Sequence, residues 1–325
     1  MKKLLIIAIA AAVSAPVLAD TKLYGILEAS YDALDADGGT SKNTVSSNSS
    51  RIGVKGSSDL NNDLKVIYQA EWGIDTGGKD SAKDLVFSNR NQVVGIAGGF
   101  GAVLIGRHDT PMKTVGRKAD LFWSTQLGNN YKMTNHKTWD LRPNNVLAYQ
   151  TPKMGGFQAL AAYVTDLAGS DDNTAFSVNG FYNAGPIQVG AAFETHDIEG
   201  SSDIDAVRLM GAYKVGPAKL VGFYQDETNG AAADASVFGI GAAYKVGAGT
   251  VKAQYYSRDI DKTDNDPDLI AVGYDHKLGK KTTVFAQYAT ASEGATLGGA
   301  GHGEAISSPT GGDADGFSVG VRHKF

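Results

Sequence analysis

Charge recurs on one face of segment after segment in this chain, at a spacing of two residues. In 187–196, Ile187, Val189, Ala191 and Phe193 share one parity, and Gln188, Gly190, Glu194 and His196 share the other. In 251–258, Val251, Ala253 and Tyr255 oppose Lys252, Gln254, Tyr256 and Arg258. Successive side chains of a strand point to opposite faces, so each segment has one apolar and one charged face. A charged face turned into the core of a soluble sandwich would be ruinous. A water-filled lumen suits it, with the apolar face turned to lipid.

The spacing predicts sixteen such segments: 22–32, 50–56, 64–72, 87–98, 102–107, 145–151, 157–165, 174–183, 187–196, 206–215, 219–225, 236–246, 250–258, 269–277, 282–290 and 316–325. No long window beyond the N-terminus repeats apolar residues at i, i+3 and i+4, so helices are not expected in the wall. Short connections (59–62, 98–101, 152–156, 184–186, 215–217, 247–249, 278–280) alternate with longer ones, the longest being 34–45, 76–84, 110–143 and 291–315. Short turns at one end and long loops at the other describe an outer-membrane barrel. A propeller would repeat every 40–45 residues or so, and no such repeat is present. The fold class read here is all-β: a sixteen-stranded antiparallel transmembrane β-barrel.

Loop 110–143 is far longer than a connection needs, and such loops are usually functional. Leu121, Phe122, Trp123 and Leu127 should pack against something, so the loop is expected to fold inward and narrow the pore. Val94 and Ile96 are placed on the lumen side, beneath it. Lumen-facing Glu194, Arg208, Lys252 and Arg258 are expected to sit in water, which disfavours a closed structural barrel.

The N-terminus reads as a secretory signal over 1–19: Lys2 and Lys3, an apolar run from Leu4 to Val13, then Val17-Leu18-Ala19 before Asp20. The barrel is assigned to 20–325. Removing the two lysines takes the net charge from −5 to −7, which leaves no basic surface overall for a nucleic acid. The chain has no cysteine and hence no disulfide framework. Mean hydropathy is −0.19, a range in which barrels hide because only alternate residues meet lipid. No HExxH or phosphate-loop pattern is present, and no catalytic, metal or cofactor site is expected. The acidic loop residues Asp171, Asp172, Asp259, Asp261, Asp264, Asp266 and Asp268 are read as solvated.

Several motifs occur in a telling order. They are Leu23-Tyr24-Gly25; Ser50-Arg51-Ile52-Gly53-Val54-Lys55-Gly56 before Asp59-Leu60; Asn89-Arg90 before Val94-Gly95-Ile96; Gly106-Arg107-His108-Asp109-Thr110-Pro111; Arg142-Pro143-Asn144-Asn145 before Tyr149-Gln150-Thr151-Pro152; and terminal Phe325. Together these resemble the general bacterial porins, trimeric sixteen-stranded proteins of the proteobacterial outer membrane. The acid-rich Pro-Glu-Phe-Gly-Gly loop motif of enteric members is absent, so the chain resembles the non-enteric branches more.

The resemblance implies a homotrimer in outer-membrane lipid and lipopolysaccharide, passing small hydrophilic solutes and ions. It also implies that the barrel-assembly machinery reads Phe325, so deleting that residue is expected to impair assembly more than conductance. A constriction is implied in which Arg51, Arg90 and Arg142 on the wall face acids of the long loop, Asp109 and Asp120. Parity agrees: Ile52 and Val54 outward put Arg51 inward, Val93 and Gly95 outward put Arg90 and Gln92 inward, and Leu147 and Tyr149 outward put Arg142 inward. Arg107 is expected to face outward near the rim. The loop also carries Lys113, Arg117 and Lys118, and its charge is positive overall. A charged ring in a pore excludes co-ions, so the expectation is a passive pore leaning toward anions. The alternative is a substrate-specific channel for small organic or inorganic anions on the same barrel.

Overall fold

The computed structural model describes residues 21–61, 63–77, 87–167, 169, 172–264, 266–299 and 303–325. The signal segment 1–19, most of loop 76–84 and Asp171 lie outside the described residues.

The wall strands run in chain order: β1 (Lys22–Ala36), β2 (Lys42–Ser47), β3 (Arg51–Asp59), β4 (Lys65–Ile74), β5 (Phe87–Gly98), β6 (Gly101–Arg107), β7 (Val146–Gln150), β8 (Phe157–Val164), β9 (Thr174–Ala184), β10 (Ile187–Asp197), β11 (Ile204–Val215), β12 (Ala218–Thr228), β13 (Ala235–Val246), β14 (Gly249–Ile260), β15 (Asp268–Lys277), β16 (Thr282–Ala291) and β19 (Ala314–Lys324). The loop before β19 carries a small hairpin, β17 (Leu297–Gly298) with β18 (Ala305–Ile306). From β4 onward each wall strand pairs antiparallel with its predecessor, and β19 pairs with both β16 and β1. The sheet therefore closes and leaves no edge for lipid to meet.

β2 and β3 both pair with β1, so they are two halves of one stave. The seventeen strands of the sheet thus make sixteen staves among the described residues, the number expected. The break falls at Asn48–Ser50, where Ser49 takes φ +56°. There the Ser50 hydroxyl accepts from Glu28 N and donates to Glu28 O, both at 2.9 Å, standing in for lost ladder bonds. The expected long loop 34–45 is a correction: β1 runs on to Ala36 and β2 begins at Lys42, leaving a short turn.

Polarity is inverted relative to a soluble protein. On β1 Leu23, Leu27 and Tyr31 are exposed outward, while Glu28, Ser30 and Asp32 are buried inside. β19 repeats this pattern: Phe317, Val319 and Val321 face out, and Arg322 turns in to bond Glu28 at 2.6 and 2.7 Å. Phe325 exchanges backbone hydrogen bonds with Gly25, and its ring lies where a Cβ on Gly25 would run into it.

One face assignment is overturned. Between the pairs Ala70–Gln92 and Trp72–Asn89, β5 holds one residue more than β4. Glu71 therefore faces both Arg90 and Asn91. An extra residue flips every side chain beyond it to the other face. Val94 and Ile96 accordingly point outward, 47% and 45% exposed, beside Ile105 and Val103, and loop 110–143 does not cover them. Val93 and Gly95 are the lumen-side residues, and Gln92 lies outside, bonded to Asn89 at 3.2 Å. Arg90 still faces inward, because it sits on the near side of the bulge.

Candidate constriction site

Loop 110–143 leaves β6 and enters a helix, α1 (Pro111–Ala119). The Thr110 hydroxyl caps it by accepting from Lys113 N at 3.3 Å, and Pro111 occupies the first turn, where no amide is needed. A short second helix, α2 (His136–Trp139), precedes the return to β7. Between them Phe122, Leu127 and Met133 are fully buried together with Met112 and Val115 of α1 and Trp139 of α2, against lumen-side Val237, Tyr256, Ala271 and Ala289. Gly241 and Gly273 make room: a Cβ there would lie 2.9 Å from Leu121 and 2.8 Å from Phe122.

Polar sockets on the wall complete the seat. Arg208 has no exposed surface; it donates to Asp140 at 2.6 Å, to Met112 O at 3.1 Å and to Gln225 at 2.6 and 2.8 Å. Gln254 donates to Asp120 and Gly128 O and accepts from Leu121 N. Lys252 pairs with Asp275 at 3.1 Å, bonds Leu121 O and lies 4.4 Å from the Phe122 ring centre. Arg258 binds Met133 O and Glu227. Glu194 is buried with His196, which lies beside the Trp139 ring. These lumen-side charges were expected in water. All five sockets meet the loop, four by hydrogen bonds and Glu194–His196 through the Trp139 ring, and burial leaves none of Glu194, Arg208 or Lys252 in open solvent.

Across the lumen, bases and acids meet over a narrower set of contacts. Asp109 takes Arg142 at 2.8 Å, Lys113 at 3.2 Å and Arg117 at 3.6 Å. Asn91, the other bulge residue, ties Asp109 to Arg142: it accepts from Asp109 N at 3.0 Å and from Arg142 Nε at 2.9 Å. Burial opposes ionisation of Asp109, but Lys113, Arg142 and Arg117 together outweigh it and hold the carboxyl well below its usual range. Next to this group Glu71 takes Arg90 at 2.6 Å, Arg51 at 3.6 Å and the Tyr24 hydroxyl at 3.0 Å. Arg51, Arg90, Arg142, Lys113 and Arg117 thus face two carboxylates. Arg117, on the loop, keeps 42% of its side chain exposed.

Residues 6–296 of the chain match the family model of the Gram-negative porins. Outer membrane porin protein 32 of Delftia acidovorans is 30% identical over the full length of both chains. The chain spans about half the length (55%) of the major outer membrane protein P.IB of Neisseria gonorrhoeae, also at 30% identity. Among solved structures, the anion-selective porin of Comamonas acidovorans superposes with a TM-score of 0.81 at 26% identity, covering 94% of this chain and 99% of that one. OmpT of Vibrio cholerae in its trimer form shares the fold at 18% identity, with a TM-score of 0.72 over 94% and 99% of the two chains. This chain belongs to the Gram-negative porin family. It is an outer-membrane pore protein of the non-enteric kind.

Within the porin, the residues singled out by motif separate into three groups. Arg51, Arg90, Arg142, Asp109, Lys113 and Arg117 come together. Asp120 does not join them: it is buried under the loop, accepting from Phe122 N, Asn130 N and Gln254, and burial pushes its carboxyl up to about 6. It anchors the loop instead of facing the pore, because its chain position is the C-cap of α1, already turned to the wall. Lys118 is exposed but points elsewhere, 5.1 Å from the Phe181 ring centre. Arg107 faces outward as expected and bonds Asn144 at 2.9 Å. Glu71 was missed, although it is a lone acid on the lumen parity of β4 and its position was open to reading.

Proposed function

We propose that this porin passes small hydrophilic solutes and ions passively and favours anions where loop 110–143 narrows the lumen. The observation that carries the reading is the five bases set against Glu71 and Asp109, with Arg117 and Arg51 still partly open. A permeating chloride or carboxylate meets net positive charge in a low-dielectric ring, and a cation is repelled there. The anion-selective solved relative supports the same sign. The working assembly is a homotrimer in lipid and lipopolysaccharide, in keeping with the trimeric relative, and Phe325 is the residue the assembly machinery reads. In planar-bilayer recordings, conductance should rise linearly with KCl. Saturation with block by one solute would instead mark a substrate-specific anion channel on the same barrel.

A further inference from the structure

Between the loop and the short turns, the wall carries bases that the constriction does not use. Lys214 of β11 and Lys219 of β12 stand directly opposite each other. Both face the lumen: Lys214 shares parity with buried Met210 and Ala212, and Lys219 with buried Val221 and Phe223. Like charges directly opposed on one face are destabilising, so this pair is a cost that the fold carries.

A third ammonium joins them from the loop. Lys118 lies in the last turn of α1, held over the ring of Phe181, another lumen-side residue. Helix α1 packs against β11 and β12, the strands that carry Lys214 and Lys219, which puts Lys118 on their side of the lumen. Among the described residues none of the three has a carboxylate within the 4.0 Å of an ion pair. Nor do their surroundings supply one. The lumen-side residues toward the short turns of β9, β10 and β13 are Asn183, Gln188 and Lys245, and Gln188 donates to Asn183 at 2.7 Å. In the constriction, by contrast, Arg51, Arg90, Arg142, Lys113 and Arg117 are each paired with Glu71 or Asp109.

We propose that Lys118, Lys214 and Lys219 form a second anion site, near the short-turn mouth, for compact multivalent oxyanions of the phosphate type. Ammonium groups are point charges without the planar fork of a guanidinium, so three of them select for charge number over carboxylate shape. Short turns lie on the periplasmic side in barrels of this kind, which places the site at the inner exit of the pore. It rests on the porin reading but not on the sign of selectivity at the constriction.

The test is sided block of the intact trimer in a planar bilayer, with inorganic tripolyphosphate as the probe. Added on the short-turn side, it should reduce KCl conductance at a concentration about tenfold lower than from the loop side. Lys214→Gln with Lys219→Gln should abolish that side preference. Removing two charges that repel each other is not expected to harm folding, and Lys118→Gln, at a separate element, should weaken the block in the same direction. Equal block from both sides in the wild type, or sided block that survives all three substitutions, would overturn the site. Loss of anion preference in a KCl gradient with sided block intact would instead sink the constriction reading alone.

Discussion

Arg208 and Arg51 both point into the barrel from a wall strand, yet Arg208 has no exposed surface while 22% of the Arg51 side chain stays open. Arg208 is sealed beneath loop 110–143 with Asp140, Gln225 and Met112 O. Arg51 meets Glu71 of the neighbouring strand β4 at 3.6 Å and donates to Ser49 O at 3.0 Å, on a side of the lumen that the loop leaves open. The same residue type is a structural rivet on one side of the loop and a pore charge on the other. What differs is cover. A desolvated charge depends on its partners, whereas a partly solvated one is free to act on a passing ion.

Substitutions that remove partners on the sealed side should therefore cost the most. Arg208→Ala takes the buried cation from Asp140, which keeps the Thr134 hydroxyl as donor, and leaves the Gln225 carbonyl without its guanidinium, a loss of roughly 3–5 kcal/mol by the measure of broken buried pairs. The loop should come loose, seen as a lower melting temperature of the trimer and a larger, noisier single-channel conductance. Unchanged melting and conductance would mean that Arg208 is not holding the loop.

A smaller effect is expected from Asp120, whose carboxyl titrates at about 6 in the folded chain against an ordinary 3.8. Between those two values the folded loop binds a proton that the unfolded chain does not. Stability from this group is therefore greatest at low pH, falls as pH rises toward 6 and levels off above it, over a span of at most about 3 kcal/mol. Asp120→Asn, neutral throughout, should flatten that slope in thermal melts between pH 4 and 6, and a slope left unchanged would assign it to another group.

On the open side the order reverses. Arg117→Gln removes a half-exposed partner 3.6 Å from Asp109 and should cost less than about 1 kcal/mol of stability. It should nonetheless reduce anion preference measurably, since its charge is the one most open to the pore. A large drop in melting temperature with no change in selectivity would erase the distinction between the two sides.

How much of this was legible in the sequence follows from the range of each signal. The two-residue alternation is local, and it located all sixteen staves. It failed at β5 because one inserted residue beside Glu71 leaves no mark of its own, yet reverses Val94, Ile96 and Gln92. It failed again at β2, whose Lys42–Ser47 run is too polar to read as a strand and forms only because β1 extends to meet it. The loop seat was out of reach for a different reason. Arg208 and Asp140 are 68 residues apart, as Gln254 and Asp120 are 134 apart, and nothing local pairs them. Parity could say that Arg208 faces the lumen, but only the folded loop decides that the lumen there is dry. The constriction bases were readable because motif and parity agreed on Arg51 and Arg142, and because the near side of the bulge kept Arg90 inward.

The most direct test is the reversal potential of the purified trimer in a planar bilayer under a KCl gradient, for the wild type and for Arg51→Gln combined with Arg117→Gln. The wild type should reverse toward the chloride potential, and the double variant should move toward zero. A wild type that reverses on the potassium side, or a double variant indistinguishable from it, would contradict an open lumen side that is net positive and selects the ion.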